Sequence, residues 1–220
     1  MLLKELREQV LETGLRMVAD QIAHGAQGNI SILDPESKLI AITPSAIPYH
    51  ALKVEDICVV DLSGKVVEGQ WRPTSEMALH LVFYRNRLDV GAVVHSHAPY
   101  CSVFGITHEP IPMVLTEAAT CLTGPVPVAP YRRPGSEEVA QVTYEAMAPR
   151  GVAAVMAHHG LVTVGATLAQ AYDSTLAAET SARMVMMARS MGRQEVVLDA
   201  EECATMRQIY LTHYKPTSAK

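Results

Sequence analysis

No CxxC pair, no cluster of lysines or arginines and no Pro/Gly/Ser-rich linker occurs in this chain of 220 residues. Cys58, Cys101, Cys121 and Cys203 are scattered, as expected of free thiols in a reducing compartment, so a disulfide scaffold is excluded and a cytoplasmic location is expected. A formal charge of −5, with Arg132-Arg133 a pair and not a patch, excludes a nucleic-acid surface and a membrane-binding face. Aromatic residues make up only 5% of the chain against 49% hydrophobic residues overall, so the core is aliphatic. Two uncharged stretches, Val90 to His108 and Gly151 to Tyr172, are interrupted by histidines and by proline or several glycines. Neither is the mostly apolar helix that a bilayer requires, and both are expected to be buried strands and turns. Lys4, Glu5, Arg7 and Glu8 break the amino-terminal apolar pattern, which reads as an amphipathic helix and not as a signal peptide. Gly25-Ala26-Gln27-Gly28-Asn29 lacks both GxGxxG and a P-loop lysine, which counts against a dinucleotide or ATP site. With no linker and no repeat, the chain reads as one domain over 1–220, disordered only at Pro216 to Lys220.

Periodicity supplies the elements. Leu3, Leu6, Val10 and Met17 with Leu11, Leu15 and Val18 predict a helix to about Asp20. Strands follow at Ile30 to Leu33 and Leu39 to Ile42, then a hairpin of Ile57 to Asp61 and Lys65 to Glu68 around Ser63-Gly64. A helix is predicted from near Pro73, with Thr74, Ser75 and Glu76 in its first turn and Ala78, Leu79, Val82 and Phe83 beyond. Strand Val90 to Val94 precedes a helix opened by Ser136, two strands around His159-Gly160, a helix from about Leu168 to Met191 and a last helix near Glu201 to Tyr210. Hairpin strands first and helices later imply an α/β fold, a mixed or largely antiparallel sheet covered by helices.

Three histidines stand at strand ends. His95 and His97 close the run Val-Gly-Ala-Val-Val-His-Ser-His, and His159 closes Val-Ala-Ala-Val-Met-Ala-His-His. Residues i and i+2 of a strand leave the same face, so His95 and His97 can converge on one ion, and His159 would complete a three-nitrogen zinc site with its fourth position open for catalysis. Gly28-Asn29, Ser45-Ala46 and Thr74-Ser75 lie on turns or at a helix start, where backbone N–H groups favour an anion. Glu76, beside them, is placed to act as an acid/base next to the metal.

Five ordered motifs carry a resemblance. They are Gln27-Gly28-Asn29-Ile30-Ser31, Ile42 to Tyr49, Arg72-Pro73-Thr74-Ser75-Glu76, Val94-His95-Ser96-His97-Ala98 and His158-His159-Gly160-Leu161. Together they are similar to class II aldolases of the fuculose-phosphate aldolase and ribulose-5-phosphate 4-epimerase type. The resemblance implies a three-layer α/β/α fold with a mostly antiparallel sheet, in a homotetramer with active sites between subunits. It implies that His95, His97 and His159 bind Zn2+ (or Mn2+ or Co2+), joined by Glu76 when no substrate is bound. It also implies that Gly28, Asn29, Ser45, Ala46, Thr74 and Ser75 cradle the phosphate of a sugar phosphate, and that His158, next to the third ligand, supports the ligands from behind or is structural. The implied reaction is reversible cleavage of a ketose 1-phosphate into dihydroxyacetone phosphate and an aldehyde.

Two positions depart from that pattern. A glycine common in the second phosphate turn is Ala46 here, and where fuculose-phosphate aldolase has a tyrosine for the aldehyde-side proton the chain reads Val114-Leu115-Thr116-Glu117. Glu117, Tyr131 and Tyr210 are the available substitutes. The lost tyrosine points to a less hydroxylated substrate such as a 5-deoxy- or 5-methylthio-pentulose 1-phosphate. On the same metal site the rival reactions are 4-epimerisation, decarboxylation of a sugar acid phosphate and dehydration of methylthioribulose phosphate. A scaffold role of the adducin kind is disfavoured, because the metal histidines and Glu76 are all present.

Overall fold

Short β-branched runs between turns assemble into an eight-stranded sheet in the computed structural model, which describes residues 1–213. The predicted disorder at Pro216 to Lys220 lies outside the described residues. The strands are β1 (Asn29–Leu33), β2 (Leu39–Ile42), β3 (Cys58–Asp61), β4 (Val66–Glu68), β5 (Ala92–Ser96), β6 (Val128–Ala129), β7 (Ala153–Met156) and β8 (Gly160–Gly165). Their spatial order is β4-β3-β2-β1-β5-β8-β7-β6, antiparallel throughout except for the parallel β6–β7 pair. The mixed, mostly antiparallel sheet is thus the observed one.

Among the described residues seven α-helices accompany it: α1 (Lys4–Ala19), α2 (Met77–Asn86), α3 (Pro99–Thr107), α4 (Thr116–Cys121), α5 (Glu137–Met147), α6 (Leu168–Ser190) and α7 (Ala200–His213). Strand alternation assigns the layers. Ser31 on β1 meets His80 and Tyr84 of α2, and Phe83 of α2 stacks edge-on against Tyr144 of α5, so α2 and α5 share one face. Thr163 of β8 points the opposite way, hydrogen-bonding Thr175 Oγ1 at 2.7 Å and the Ala171 carbonyl on α6. Tyr172 of α6 in turn donates to Asp20 and carries Arg16 over its ring, which seats α1 beside α6. The result is the three-layer α/β/α arrangement, with β1, β5 and β8 buried on both sides. Among the described residues no helix is long and apolar enough to cross a membrane.

The sequence expectation omits α4 and β6 and errs at three further places. The helix predicted from Pro73 begins only at Met77, because Pro73 pairs with Pro44 and the Thr74 N–H donates to the Thr43 carbonyl, holding that segment extended. Glu76 is accordingly the residue capping α2 and not a member of its first turn. The stretch Val90 to His108 contains a helix, α3, as well as a strand, and that strand runs two residues later than expected, with His95 inside it. Pro99 opens α3 at a position where its missing N–H is no loss. Elsewhere the boundaries agree to within a few residues, including Ser136, whose hydroxyl accepts from Val139 N at the start of α5.

Candidate metal centre and phosphate cradle

Register brings the site together at one end of the central strands. Asn29 opens β1 opposite His95, and His95 is paired on its other side with Val162 of β8. Asn29, Ser31, Val93 and His95 therefore project from the α2 face of the sheet, and His97 follows in the same phase. The β7–β8 turn delivers His159 beside them. Close backbone approach makes that possible: a Cβ on Gly160 would lie 2.4 Å from the Ser96 carbonyl oxygen, so only glycine fits there.

The three rings converge. Their centroids are 5.0 Å (His95–His97), 4.8 Å (His95–His159) and 5.2 Å (His97–His159) apart, and one nitrogen of each lies within 4.8 Å of the others. Glu76 completes the group, with Oε2 at 3.2 Å from His95 Nε2 and Oε1 at 3.5 Å from His159 Nε2. His95 Nδ1 faces the Leu161 carbonyl at 3.0 Å and donates to it, which leaves Nε2 with its lone pair toward the centre.

Among the described residues, His95 Nε2, His159 Nδ1 and Glu76 Oε1 are buried without a hydrogen-bond partner. Two of these face the group, His95 Nε2 toward Glu76 Oε2 and Glu76 Oε1 toward His159 Nε2. Such a buried lone pair against a carboxylate is stable only around a proton or a cation, and three nitrogens with one oxygen is a zinc donor set. The residues fit a divalent cation.

Electrostatics favours the same state. Burial, reinforced by the neighbouring His95 and His159, pushes His97 down to about 4. Burial together with His95 takes His159 to about 4 as well, so both offer neutral nitrogens at physiological pH. Burial works against a charge on Glu76, but His95, His159 and the Asn29 amide hold its carboxyl well below the usual carboxylate range.

The predicted cradle segments are neighbours. Gly28 adopts φ +75°, and a Cβ there would lie 2.6 Å from the His95 carbonyl oxygen. Ile30 N donates to Thr43 Oγ1, and the turn after Thr43 runs alongside the segment before Glu76, with Ser45 N bonded to the Arg72 carbonyl and Thr74 N to that of Thr43. Those two N–H groups serve the loop pairing and are not available to an anion. Thr74 Oγ1 accepts from Glu76 N at 3.2 Å. Asn29 Nδ2 reaches Glu76 Oε2 at 2.9 Å, so its side chain serves the carboxylate.

Ala46 occupies the left-handed region at φ +62°, which explains why glycine suits this turn. Ala46→Gly is expected to raise stability by roughly 0.5–1 kcal/mol by relieving that conformation, less the added freedom of the unfolded chain. Urea unfolding measures it, and no change in midpoint would contradict the strain.

The remaining sequence candidates separate in space. His158, at φ +57°, turns away from the trio, with its Nε2 3.4 Å from His108 Nε2 and its ring 6.0 Å from that of Tyr131. Tyr131 is therefore packed with His158, on the side turned away from the trio. Tyr210 lines a cavity with Arg87, Val90 and Gly165, at the opposite end of β5 and β8 from the histidines. Glu117 is exposed on α4, in a cavity with Asp173 and Met184.

The sequence pattern does not single out His80, although its place four residues after Glu76, on the same helix face, is a signal for it. Burial, with His95 acting in the same direction and Glu76 opposing, takes its imidazole down to about 3 from an ordinary 6.5. Between about pH 6.5 and 3 the unfolded chain binds a proton that the folded chain refuses, so this group makes stability fall as pH is lowered through that window. Urea midpoints of the metal-free protein should fall less steeply from pH 7 to pH 4 in a His80→Gln variant than in the parent. Equal slopes would contradict the assignment.

Residues 8–186 match the family described as the Class II Aldolase and Adducin N-terminal domain. The chain is 34% identical over 202 residues to the 5-deoxy-D-ribulose 1-phosphate aldolase of Bacillus thuringiensis serovar kurstaki, covering 91% of this chain and 93% of the relative. It is 33% identical over 198 residues to the L-fuculose phosphate aldolase of Haemophilus influenzae, covering 90% of each. Among solved structures, an L-fuculose 1-phosphate aldolase superposes with a TM-score of 0.89 at 32% identity, over 94% of this chain and 96% of that one.

Proposed function

The chain belongs to the class II aldolase and adducin N-terminal domain family, and from that premise we propose that it is a divalent-cation-dependent aldolase that reversibly cleaves a ketose 1-phosphate into dihydroxyacetone phosphate and an aldehyde. The convergence of three imidazoles and Glu76 around unpartnered lone pairs carries the reading. His95, His97 and His159 would hold the cation, with Zn2+ the choice best suited to a nitrogen-rich site and Mn2+ or Co2+ the alternatives. Bound there, it supplies positive charge where negative charge develops on the substrate oxygens beside the breaking bond.

The residues of the chain do the rest. Gly28, Ala46 and Ser75 through backbone N–H groups and Ser45 and Thr74 through their hydroxyls, with Asn29 at their edge, would bind the phosphate and so place the reacting carbon beside Glu76, converting remote binding energy into orientation. In cleavage the carbon–carbon bond breaks, the hydroxyl on the aldehyde side loses its proton, and Glu76 delivers a proton to the carbon left with the electron pair. In condensation the same carboxylate removes that proton. For the aldehyde-side acid/base we take Tyr131 as the candidate, since its ring meets His158, the chain neighbour of His159, at 6.0 Å.

The stretch Val114-Leu115-Thr116-Glu117, without the tyrosine of fuculose-phosphate aldolase, supports a 5-deoxy- or 5-methylthio-pentulose 1-phosphate as substrate. The name of the Bacillus thuringiensis relative supports it too. As assembly we propose one aldolase domain per chain in a homotetramer, for which the exposed Met184, Met187 and Met191 along α6 offer an apolar face. Four free thiols support a cytoplasmic setting.

The test is a panel of phosphorylated ketoses with metal-analysed protein, dihydroxyacetone phosphate being followed through a coupled reductase. Release from the deoxy or methylthio compounds is expected. Rapid cleavage of fuculose 1-phosphate alone would overturn the narrower substrate, and no release from any ketose 1-phosphate would overturn aldol cleavage in favour of the epimerase, decarboxylase or dehydratase.

A further inference from the structure

His80 lies at the centre of a buried chain of hydrogen bonds that ends on Glu76. Glu76, His80 and Tyr84 are spaced by four along the capping residue and first turns of α2, and Asn29 and Ser31 by two along β1. Four helical residues rise about 6 Å and two strand residues about 6.6 Å, so the two stripes stay in step. Asn29 accordingly meets Glu76 and His80, and Ser31 meets His80 and Tyr84.

Each hydrogen in that chain has one consistent place. A carboxylate only accepts, so the Asn29 atom 2.9 Å from Glu76 Oε2 is the amide nitrogen, and Oδ1 faces His80 Nε2 at 2.6 Å. Oδ1 is itself an acceptor, so Nε2 carries the hydrogen. The His80 ring is fully buried and touches no carboxylate; it is neutral, and Nδ1 accepts the Ser31 hydroxyl hydrogen at 2.7 Å. Ser31 Oγ, having given its hydrogen there, accepts from the Tyr84 hydroxyl at 2.7 Å. The other imidazole tautomer would set two acceptors face to face, or turn Asn29 so that its oxygen met the carboxylate.

We propose that His80 is a positioning residue for Glu76: its single tautomer fixes which way the Asn29 amide faces, and the Asn29 N–H in turn holds Glu76 Oε2 in one orientation beside the three imidazoles. The consequence for turnover rests on Glu76 being the acid/base of the proposed aldolase. The hydrogen-bond chain itself does not.

Nitrogen-15 NMR of the histidine-labelled, chelator-treated protein reads the tautomer directly, with the His80 signals identified by their loss in His80→Gln. A protonated Nε2 and an unprotonated, hydrogen-bonded Nδ1 are expected. The reverse tautomer would overturn the proposal. In the cation-loaded enzyme, His80→Leu is expected to lower kcat by about tenfold or more with a smaller change in KM, as for other residues that orient a metal site from outside. His80→Gln, whose side-chain amide can still donate to Asn29 Oδ1, should recover part of that loss. Folded variants that both keep the parent kcat, or that lose activity only through KM, would overturn it. The tautomer is measured without substrate, so its failure removes the relay alone, whereas a parent protein that cleaves no phosphoketose removes the aldolase reading.

Discussion

Replacing Glu76 by glutamine is expected to lower kcat for phosphoketose cleavage by about 10²–10⁴-fold, the range that a positioned acid/base contributes. Glutamine keeps the volume of the side chain and leaves Asn29 Nδ2 an oxygen to bond, so the α2 cap and the loops around Thr74 should be preserved. What it removes is the carboxylate that, in the proposed reaction, exchanges a proton with the reacting carbon. The loss should therefore fall on kcat and kcat/KM together, with cation binding only weakened because the three imidazoles remain. Steady-state kinetics at saturating cation, with circular dichroism to establish the fold, measure this. A kcat within a few-fold of the parent value would place the acid/base elsewhere, and Tyr131 would be the next residue to replace.

The second large effect concerns the imidazoles. His97→Ala is expected to weaken cation binding by more than about 100-fold, since even partners outside the ligand shell are worth about 10–100-fold. His97 is the informative choice because it is only partly buried and its backbone N–H is independently anchored on the Ile22 carbonyl at 3.0 Å, so the chain should hold its course without the ring. His95 is fully buried and its Nδ1 is tied to Leu161, so its removal would confound cavity formation with ligand loss. Metal content after gel filtration, read beside the turnover number, tests the expectation. Stoichiometric cation and full turnover in a folded His97→Ala protein would contradict the site.

Much of this arrangement is legible in the chain itself. His95 and His97 in the i, i+2 phase of an apolar run, and a third histidine before a glycine, carry the trio because strand alternation and register follow from local pattern. Alternation between turn signals likewise gives most of the sheet. Other features depend on distant partners. Pro73 and Thr74 look like a helix start but are held extended by Thr43 and Pro44, some thirty residues earlier. α3 is apolar along most of its length, so no amphipathic period marks it, and it is stabilised instead by Glu179 of α6, which accepts from the N–H groups of Tyr100 and Cys101. The place of His80 requires the helix and strand stripes to be seen side by side. Where Glu117, Tyr131 and Tyr210 lie is equally a matter of tertiary packing: Tyr131 meets His158, while Glu117 and Tyr210 line separate cavities.

The most direct test of the account is a titration of Zn2+ into chelator-stripped protein while dihydroxyacetone phosphate release is followed from the best ketose 1-phosphate. No cleavage is expected at the start, followed by a rise that reaches its plateau at one cation per chain. Undiminished cleavage before any cation is added would contradict it.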